Sequence, residues 1–181
     1  MKIVAIIPAK GNSDRLPFKN IHPIWEKPML YWAYKACMDS EHDIKVYVST
    51  EDQKVIDVCK KYSIPVVIRS ANLSGPMVYK QAVIRDAADT LKRIEQPDLW
   101  ISLQANSPEI KTEHLDEAIY TLVKYNKDEV FSVDENLMQN AAFRIFKGDY
   151  VFQKDLSTNV GVYKCDLMDV HTIEDVNELE K

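Results

Sequence analysis

Strand-like runs of β-branched and aliphatic residues alternate with helix-period segments along most of the chain, and this alternation limits the fold more than any other feature. The runs stand at Lys2–Ile7, Ile44–Ser49, Pro65–Ile68, Leu99–Leu103 and Glu129–Val133. Between the first two, Pro28 suits the first turn of a helix that Met29, Tyr31, Trp32, Tyr34, Lys35 and Cys37 continue. Thr50 is expected to cap a helix reaching Lys61, with Glu51 and Asp52 in its first turn. Met77 to Ile94 reads as a long amphipathic helix, and Thr112 as the cap of another from Glu113 to Lys124. Leu99–Leu103 is apolar enough to be a central strand. Such alternation predicts an α/β fold with a mostly parallel sheet and helices on both faces.

The pattern changes after about residue 134. Phe143–Phe146, Tyr150–Phe152 and Asn159–Tyr163 are short strand-like pieces, with Lys147-Gly148-Asp149 as one of the turns. They predict a short β-hairpin insertion and a returning edge strand over residues 134–165. The last segment, Ile173–Glu180, reads as a helix with Thr172 as cap and Glu174 and Asp175 in its first turn. No Pro/Gly/Ser-rich linker interrupts the 181 residues, so 1–181 is expected to be a single domain, long enough to bury a core.

The first strand runs into a loop, residues 8–20, in which Pro8, Gly11 and Pro17 prevent helix and strand. It carries Lys10, Arg15 and Lys19 against one acid, Asp14, in a chain of net charge −5. A cationic loop after the first strand of an α/β sheet is where such folds receive a phosphate ligand. It is neither a Walker A motif nor GxGxxG, so side-chain cations must do more of the work than bare backbone N–H groups. The acidic balance argues against a nucleic-acid partner. No apolar run reaches membrane-spanning length and the N-terminus has no signal-peptide layout, so no membrane partner is expected. Cys37, Cys59 and Cys165 form no CxxC pair, which suits buried free thiols in a reducing cytoplasm.

Three further segments join loop position to polarity. Val48-Ser49-Thr50-Glu51-Asp52 ends a strand, with a helix cap as its simplest reading. Leu103-Gln104-Ala105-Asn106-Ser107-Pro108 ends the central strand, and its two amides could read a base edge. Asp169-Val170-His171-Thr172-Ile173-Glu174-Asp175 places Asp169 and His171 two apart, on one side of an extended stretch. Together they could share a divalent metal, although Mg²⁺ prefers oxygen to imidazole.

In this order, over nearly the whole chain, the four segments resemble the N-acylneuraminate cytidylyltransferases, or CMP-sialic acid synthetases. The family's pattern close to Pro-Ala-Arg-x-x-Ser-x-Arg-Leu-Pro-x-Lys-Asn stands here as Pro8 to Asn20. Its Val-Ser-Thr-Asp-Asp, Leu-Gln-x-x-Ser-Pro and Asp-x-Asp-Thr-x-x-Asp elements stand as Val48–Asp52, Leu103–Pro108 and Asp169–Asp175. The resemblance implies a Rossmann-like sheet of the nucleotide-diphospho-sugar transferase type. It implies transfer of CMP from CTP to a sialic-acid-like 2-keto sugar acid, with pyrophosphate released. Lys19, Lys10 and Arg15 would be the catalytic cations. Ala9, Gly11, Asn12, Ser13, Asn20, Arg69 and Gln104 would bind CTP, with backbone near Leu73–Gly75 helping. Asp169 and His171 would hold Mg²⁺, with Mn²⁺ as an alternative. A homodimer is left open. The chain departs from the pattern at Lys10, where Arg is usual, at Asp14, where Lys is common, and at His171, where a second metal-binding Asp is expected. Most of the arm that completes the family's sugar pocket is missing. A Kdo-type or other sugar nucleotidyltransferase, and a nucleotide-binding homologue with impaired catalysis, are the alternatives; Asn106 and Ser107 favour the sialic-acid branch over Kdo enzymes, which usually carry an acid after the corresponding Gln.

Overall fold

The computed structural model describes residues 1–75, 77–155 and 157–181. In chain order it holds β1 (Ile3–Pro8), the small ribbon β2 (Pro23–Ile24) and β3 (Lys27–Pro28), α1 (Met29–Met38), β4 (Ile44–Thr50), α2 (Gln53–Lys61), β5 (Val66–Ile68) and α3 (Lys80–Leu91). There follow β6 (Leu99–Leu103), α4 (Thr112–Lys124), β7 (Glu129–Val133), β8 (Gln139–Lys147), β9 (Val160–Lys164) and α5 (Ile173–Leu179). Seven strands make one sheet in the order β5-β4-β1-β6-β8-β7-β9. β5, β4, β1 and β6 run parallel, β8 is antiparallel to both β6 and β7, and β9 lies parallel to β7 at the far edge.

The side-chain period of two sorts β1 between two cores. Ile3, Ala5 and Ile7 face α1, α2 and α4 through Leu30, Val55 and Leu115, all buried. Val4 and Ile6 face α3 through Ile84, Ala88 and Leu91, with Trp100 and Phe146 from β6 and β8. A strand covered on both sides has to be apolar throughout, which is why β1 and β6 read as continuous hydrophobic runs rather than alternating ones. The expected layering, helices on both faces of a mostly parallel sheet, is the one found.

Several boundaries differ from the sequence expectation. Thr50 does not cap α2, because it still belongs to β4, with its carbonyl accepting from the Arg69 N–H at 2.9 Å. Asp52 is the cap instead: its Oδ1 accepts from the N–H groups of Lys54 (2.8 Å) and Val55 (3.2 Å), and Glu51 lies outside the helix altogether. α3 starts at Lys80, not Met77, because Tyr79 is still extended at φ −66°, ψ 135°, and it stops at Leu91. Thr112 is the first residue of α4 rather than its cap; its hydroxyl donates to the Ala36 carbonyl at 3.1 Å and ties α4 to α1.

Near the C-terminus, Tyr150–Phe152 is not a strand but part of a 3₁₀ turn, residues 148–152, that drops the buried Val151 into the α3-side core. The hairpin lies earlier than expected, between β7 and β8. Its turn is closed by Asp134, whose Oδ1 accepts from the N–H groups of Asn136 (2.8 Å) and Met138 (2.9 Å). The returning edge strand is β9. α5 begins as read from sequence: Thr172 Oγ1 accepts from the Asp175 N–H at 3.3 Å, and Asp175 accepts in return from the Thr172 N–H at 2.8 Å. Val176 then packs with Val170 on Leu16, Ile24 and Met29, fixing the tail over the basic loop.

The three cysteines are buried and free. Burial pushes the Cys37 thiol up to about 12 and Cys59 up to about 11, so both are held as inert thiols. Among the described residues no helix is long and apolar enough to cross a membrane.

Candidate active site

β1, β4, β5 and β6 are adjacent and parallel, so their C-terminal ends lie side by side, and each delivers a polar residue just beyond its last strand position. These are Lys10 after β1, Glu51 after β4, Arg69 after β5 and Gln104 after β6. A cleft of about 220 Å³ opens at this edge. Lys10, Lys19, Arg69 and Lys80 give it cationic walls, Asn20, Gln104, Asn106 and His171 add polar ones, and no carboxylate lines it among the described residues. A pocket with this charge takes an anion.

The basic loop is fixed at both ends. The Ala9 N–H extends the ladder to the Ser49 carbonyl at 2.9 Å, and the Asn20 amide donates to the Lys10 carbonyl at 3.0 Å, closing the loop on itself. Gly11 is required by a close approach. A Cβ there would lie 2.1 Å from Asp52 Oδ2, and the other oxygen of that carboxylate is the α2 cap. Gly11→Ala should therefore push the loop off the cap and lower stability by ~1–3 kcal/mol. The check is a thermal melt against Asp52→Ala, which loses the cap alone.

Glu51 joins three pieces of the site. Its Oε1 accepts from the Gly11 N–H at 3.3 Å, and its Oε2 accepts from Arg69 Nε at 2.9 Å and from Arg69 Nη2. Burial, the largest single influence, raises the Glu51 carboxyl, but the hydrogen bonds and the charge of Arg69, with smaller hydrogen-bond contributions beside them, together outweigh it and hold the group below the usual range. Arg69 itself is buried. It lines the cleft as expected from sequence, with its guanidinium paired to Glu51.

A hydrogen-bonded chain crosses the cleft. Lys80 Nζ donates to Gln104 Oε1 at 3.0 Å, and Gln104 Nε2 donates to Asp169 Oδ1 at 2.8 Å. Asn106 also donates to Oδ1 and, at 2.7 Å, to the Val170 carbonyl. Asp169 Oδ2 meets His171 Nε2 at 2.9 Å. On the far side of the ring, His171 Nδ1 faces Arg15 Nη2 at 2.9 Å and Lys19 Nζ at 3.3 Å. Guanidinium and ammonium groups only donate, so Nδ1 accepts and the ring proton sits on Nε2, donated to Asp169. Burial lowers the Lys19 amine from its usual range, partly offset by Asp169.

The segments expected to cooperate thus meet, but not every residue reaches the cleft. Lys10, Lys19, Asn20, Arg69, Gln104 and His171 line it, as do Leu73 and Gly75. Ala9 is fully buried beneath it. Gly11 and Asn12 border a separate small cavity with Pro17, Phe18 and Asp52. Ser13, Arg15 and Asp169 are not in the lining; Arg15 meets it through His171, and Asp169 through His171 and Gln104. Asn106, weighed as a base reader, spends its amide on Asp169 and Val170. Two residues were not singled out from sequence. From sequence Glu51 reads only as part of a helix cap. Lys80 carried a visible signal: it stands in phase with the buried stripe Val83, Ile84, Ala87, Ala88 and Leu91, where a lysine is out of place.

Fold and site together define an α/β protein of the nucleotide-sugar transferase type with a cationic cleft at the carboxyl ends of its strands. The family profile described as Cytidylyltransferase matches residues 4–165, and the chain belongs to that family. It is 31% identical to N-acylneuraminate cytidylyltransferase A of Danio rerio over 131 residues, 72% of this chain and 30% of that protein. It is 29% identical to the pseudaminic acid cytidylyltransferase of Campylobacter jejuni over 137 residues, 75% of this chain and 59% of that one. The chain thus spans less than two thirds of the length of these relatives. Its fold matches a CMP:2-keto-3-deoxy-manno-octonic acid synthetase complexed with CTP at TM-score 0.80, over 99% of this chain and 97% of that one, with 14% identity.

Proposed function

We propose that this chain transfers CMP from CTP to a 2-keto sugar acid of the sialic-acid type, releasing pyrophosphate. The observation that carries the proposal is the cleft itself: a family member brings Lys10 and Lys19 from its first loop together with His171 from its tail, backed by Asp169 on the other ring nitrogen, at strand ends where α/β folds take nucleotides. In the reaction a sugar hydroxyl oxygen bonds to the α-phosphorus, the bond from that phosphorus to the bridging oxygen breaks, pyrophosphate leaves and the hydroxyl proton passes to water. Negative charge grows on the phosphoryl oxygens. Lys19, held against His171, and Lys10 are donors for that charge, and a preorganised cation there stabilises the transition state more than the ground state. Arg15 acts at one remove, by sharing His171 Nδ1 with Lys19.

A divalent cation fits Asp169 better than His171. Among the described residues no group of three His, Cys, Asp or Glu side chains could hold a metal by itself. Asp169 Oδ1 already takes two amide donors, whereas Oδ2 takes only His171, so Oδ2 is the oxygen open to a cation. His171 has a proton on one nitrogen and two cationic donors at the other, which leaves no lone pair for a metal. Mg²⁺ commonly makes do with one carboxylate, phosphate oxygens and waters, and when bound it would neutralise phosphoryl charge. Asp169→Asn should raise the Mg²⁺ concentration needed for half-maximal turnover by about 10-fold or more. His171→Ala should change that requirement less. Equal effects of the two variants would make His171 a ligand.

The proposal is tested by pyrophosphate release from CTP and Mg²⁺ with N-acetylneuraminate, pseudaminate and Kdo in parallel. Release that depends on a 2-keto acid supports it. CTP binding without release under any of them would leave a nucleotide-binding protein and remove the transferase.

A further inference from the structure

Lys80 is a half-buried lysine on the apolar face of α3, and its ammonium borders the cleft. Two of its three N–H groups are accounted for, one by Gln104 Oε1 at 3.0 Å and one by the Ala141 carbonyl on β8 at 2.9 Å. The contact to Gln104 has a second effect. With Oε1 on Lys80 and Nε2 on Asp169, the Gln104 amide is engaged at both ends, and Arg69 is engaged with Glu51. Gln104 keeps one Nε2–H and Arg69 keeps the N–H groups beyond the two that meet Glu51, so each is oriented by a partner within the protein and still has donors of its own. Lys80 retains a donor, and Leu73, Val78 and Val83 lie with it in the cleft wall as apolar surface.

We propose that Lys80 is a specificity-determining residue of this cleft, whose remaining N–H binds an oxygen acceptor of the substrate: the pyrimidine carbonyl of CTP or the carboxylate of the sugar acid. The inference rests on the cytidylyl-transfer reading and names a residue of the same site. An ammonium has no acceptor, so it favours a carbonyl or carboxylate oxygen at this position and disfavours a donor. Burial drives the Lys80 amine down to about 8, countered by Asp169 and reinforced by Arg144, and an anionic or carbonyl oxygen arriving beside it would favour its charged form.

The experiment compares the parent with Lys80→Met, which keeps the length of the side chain and removes its donors, and with Lys80→Gln should the methionine variant fail to fold. CTP and inorganic tripolyphosphate are titrated calorimetrically, and the KM for N-acetylneuraminate is measured at saturating CTP. Loss of a charge-assisted hydrogen bond weakens binding about 10- to 100-fold. If the acceptor is the base carbonyl, CTP weakens by that factor and tripolyphosphate does not. If it is the carboxylate, CTP is unchanged and the KM for the acid rises by that factor. Unchanged values for both overturn the proposal and leave Lys80 as a tie between α3 and β8. Equal weakening of CTP and tripolyphosphate also overturns it, because Lys80 would then act on the phosphates or through the fold. A parent that binds no CTP overturns the cytidylyl-transfer reading, and this inference with it.

Discussion

Replacing Lys19 with alanine is expected to slow turnover by roughly 10²-fold or more, the largest kinetic effect of any single change in the cleft. Lys19 stands in a short 3₁₀ turn directly after Phe18, whose left-handed backbone (φ 54°) swings the chain back toward the strand ends. Its ammonium is held 3.3 Å from His171 Nδ1, in a half-buried position where charge is screened less than at the surface. The cost should fall mainly on kcat, because the charge it meets grows only as the phosphoryl bond breaks. Lys10→Ala should cost less, and Arg15→Ala less again, since Arg15 reaches the site only through His171. The measurement is steady-state pyrophosphate release at saturating CTP. Near-parental kcat for Lys19→Ala would take the basic loop out of the chemistry.

Glu51→Ala is expected to be the most destabilising change near the site. It leaves the Arg69 guanidinium, 3% exposed at its side chain, without its carboxylate, and unpairing one member of a buried ion pair costs ~3–5 kcal/mol. Glu51 keeps 22% exposure, so water can partly replace it, and the lower end of that range is expected. Against a total stability of about 5–15 kcal/mol for a domain this is a large fraction. Replacing both residues with leucine should recover most of the loss, because two apolar groups leave no orphaned charge. The pair also sets a sign for acid denaturation. Since Arg69 holds the Glu51 carboxyl below its unfolded value, the stabilisation is complete above the ordinary carboxylate range and is lost as pH falls through the depressed value. Urea unfolding of the single and double variants at neutral pH, and of the parent along an acid series, reads all of this. A single variant within about 0.5 kcal/mol of the parent would show the pair to be ordinary surface.

The sheet was legible because its determinants are local. β1 and β6 are near-continuous apolar runs, β4 and β7 mix β-branched and aromatic residues with polar ones, and Leu99–Leu103 and Glu129–Val133 are read from sequence at their observed limits. Helix starts were harder to place. Thr50 and Asp52 are both good cap types, and only the pairing of β4 with β5, which keeps Thr50 extended, decides between them. Tyr150–Phe152 has strand propensity but is drawn into a turn because Val151 is needed in the core beside Trp100 and Phe146. The basic loop, Gln104 and Asp169 could be named from the chain, since each follows or closes a recognisable element. Which groups pair with which could not, because the pairs are far apart in sequence: Glu51 with Arg69, Lys80 with Gln104, and His171 with Lys19. From the chain Arg69 is a CTP ligand and His171 a metal ligand; in the fold Arg69 turns its Nε and Nη2 to Glu51, and the His171 Nδ1 lone pair faces Arg15 and Lys19.

The most direct test of the central claim, that this cleft is the seat of CTP, is a structure of the protein with CTP bound. Phosphate oxygens are expected within hydrogen-bond distance of Lys10 and Lys19, with the base lying toward Leu73, Val78 and Lys80. CTP seated elsewhere, for instance in the groove bordered by Trp25, Trp32 and Lys111, with the Lys10–Lys19 cleft unchanged, would contradict it.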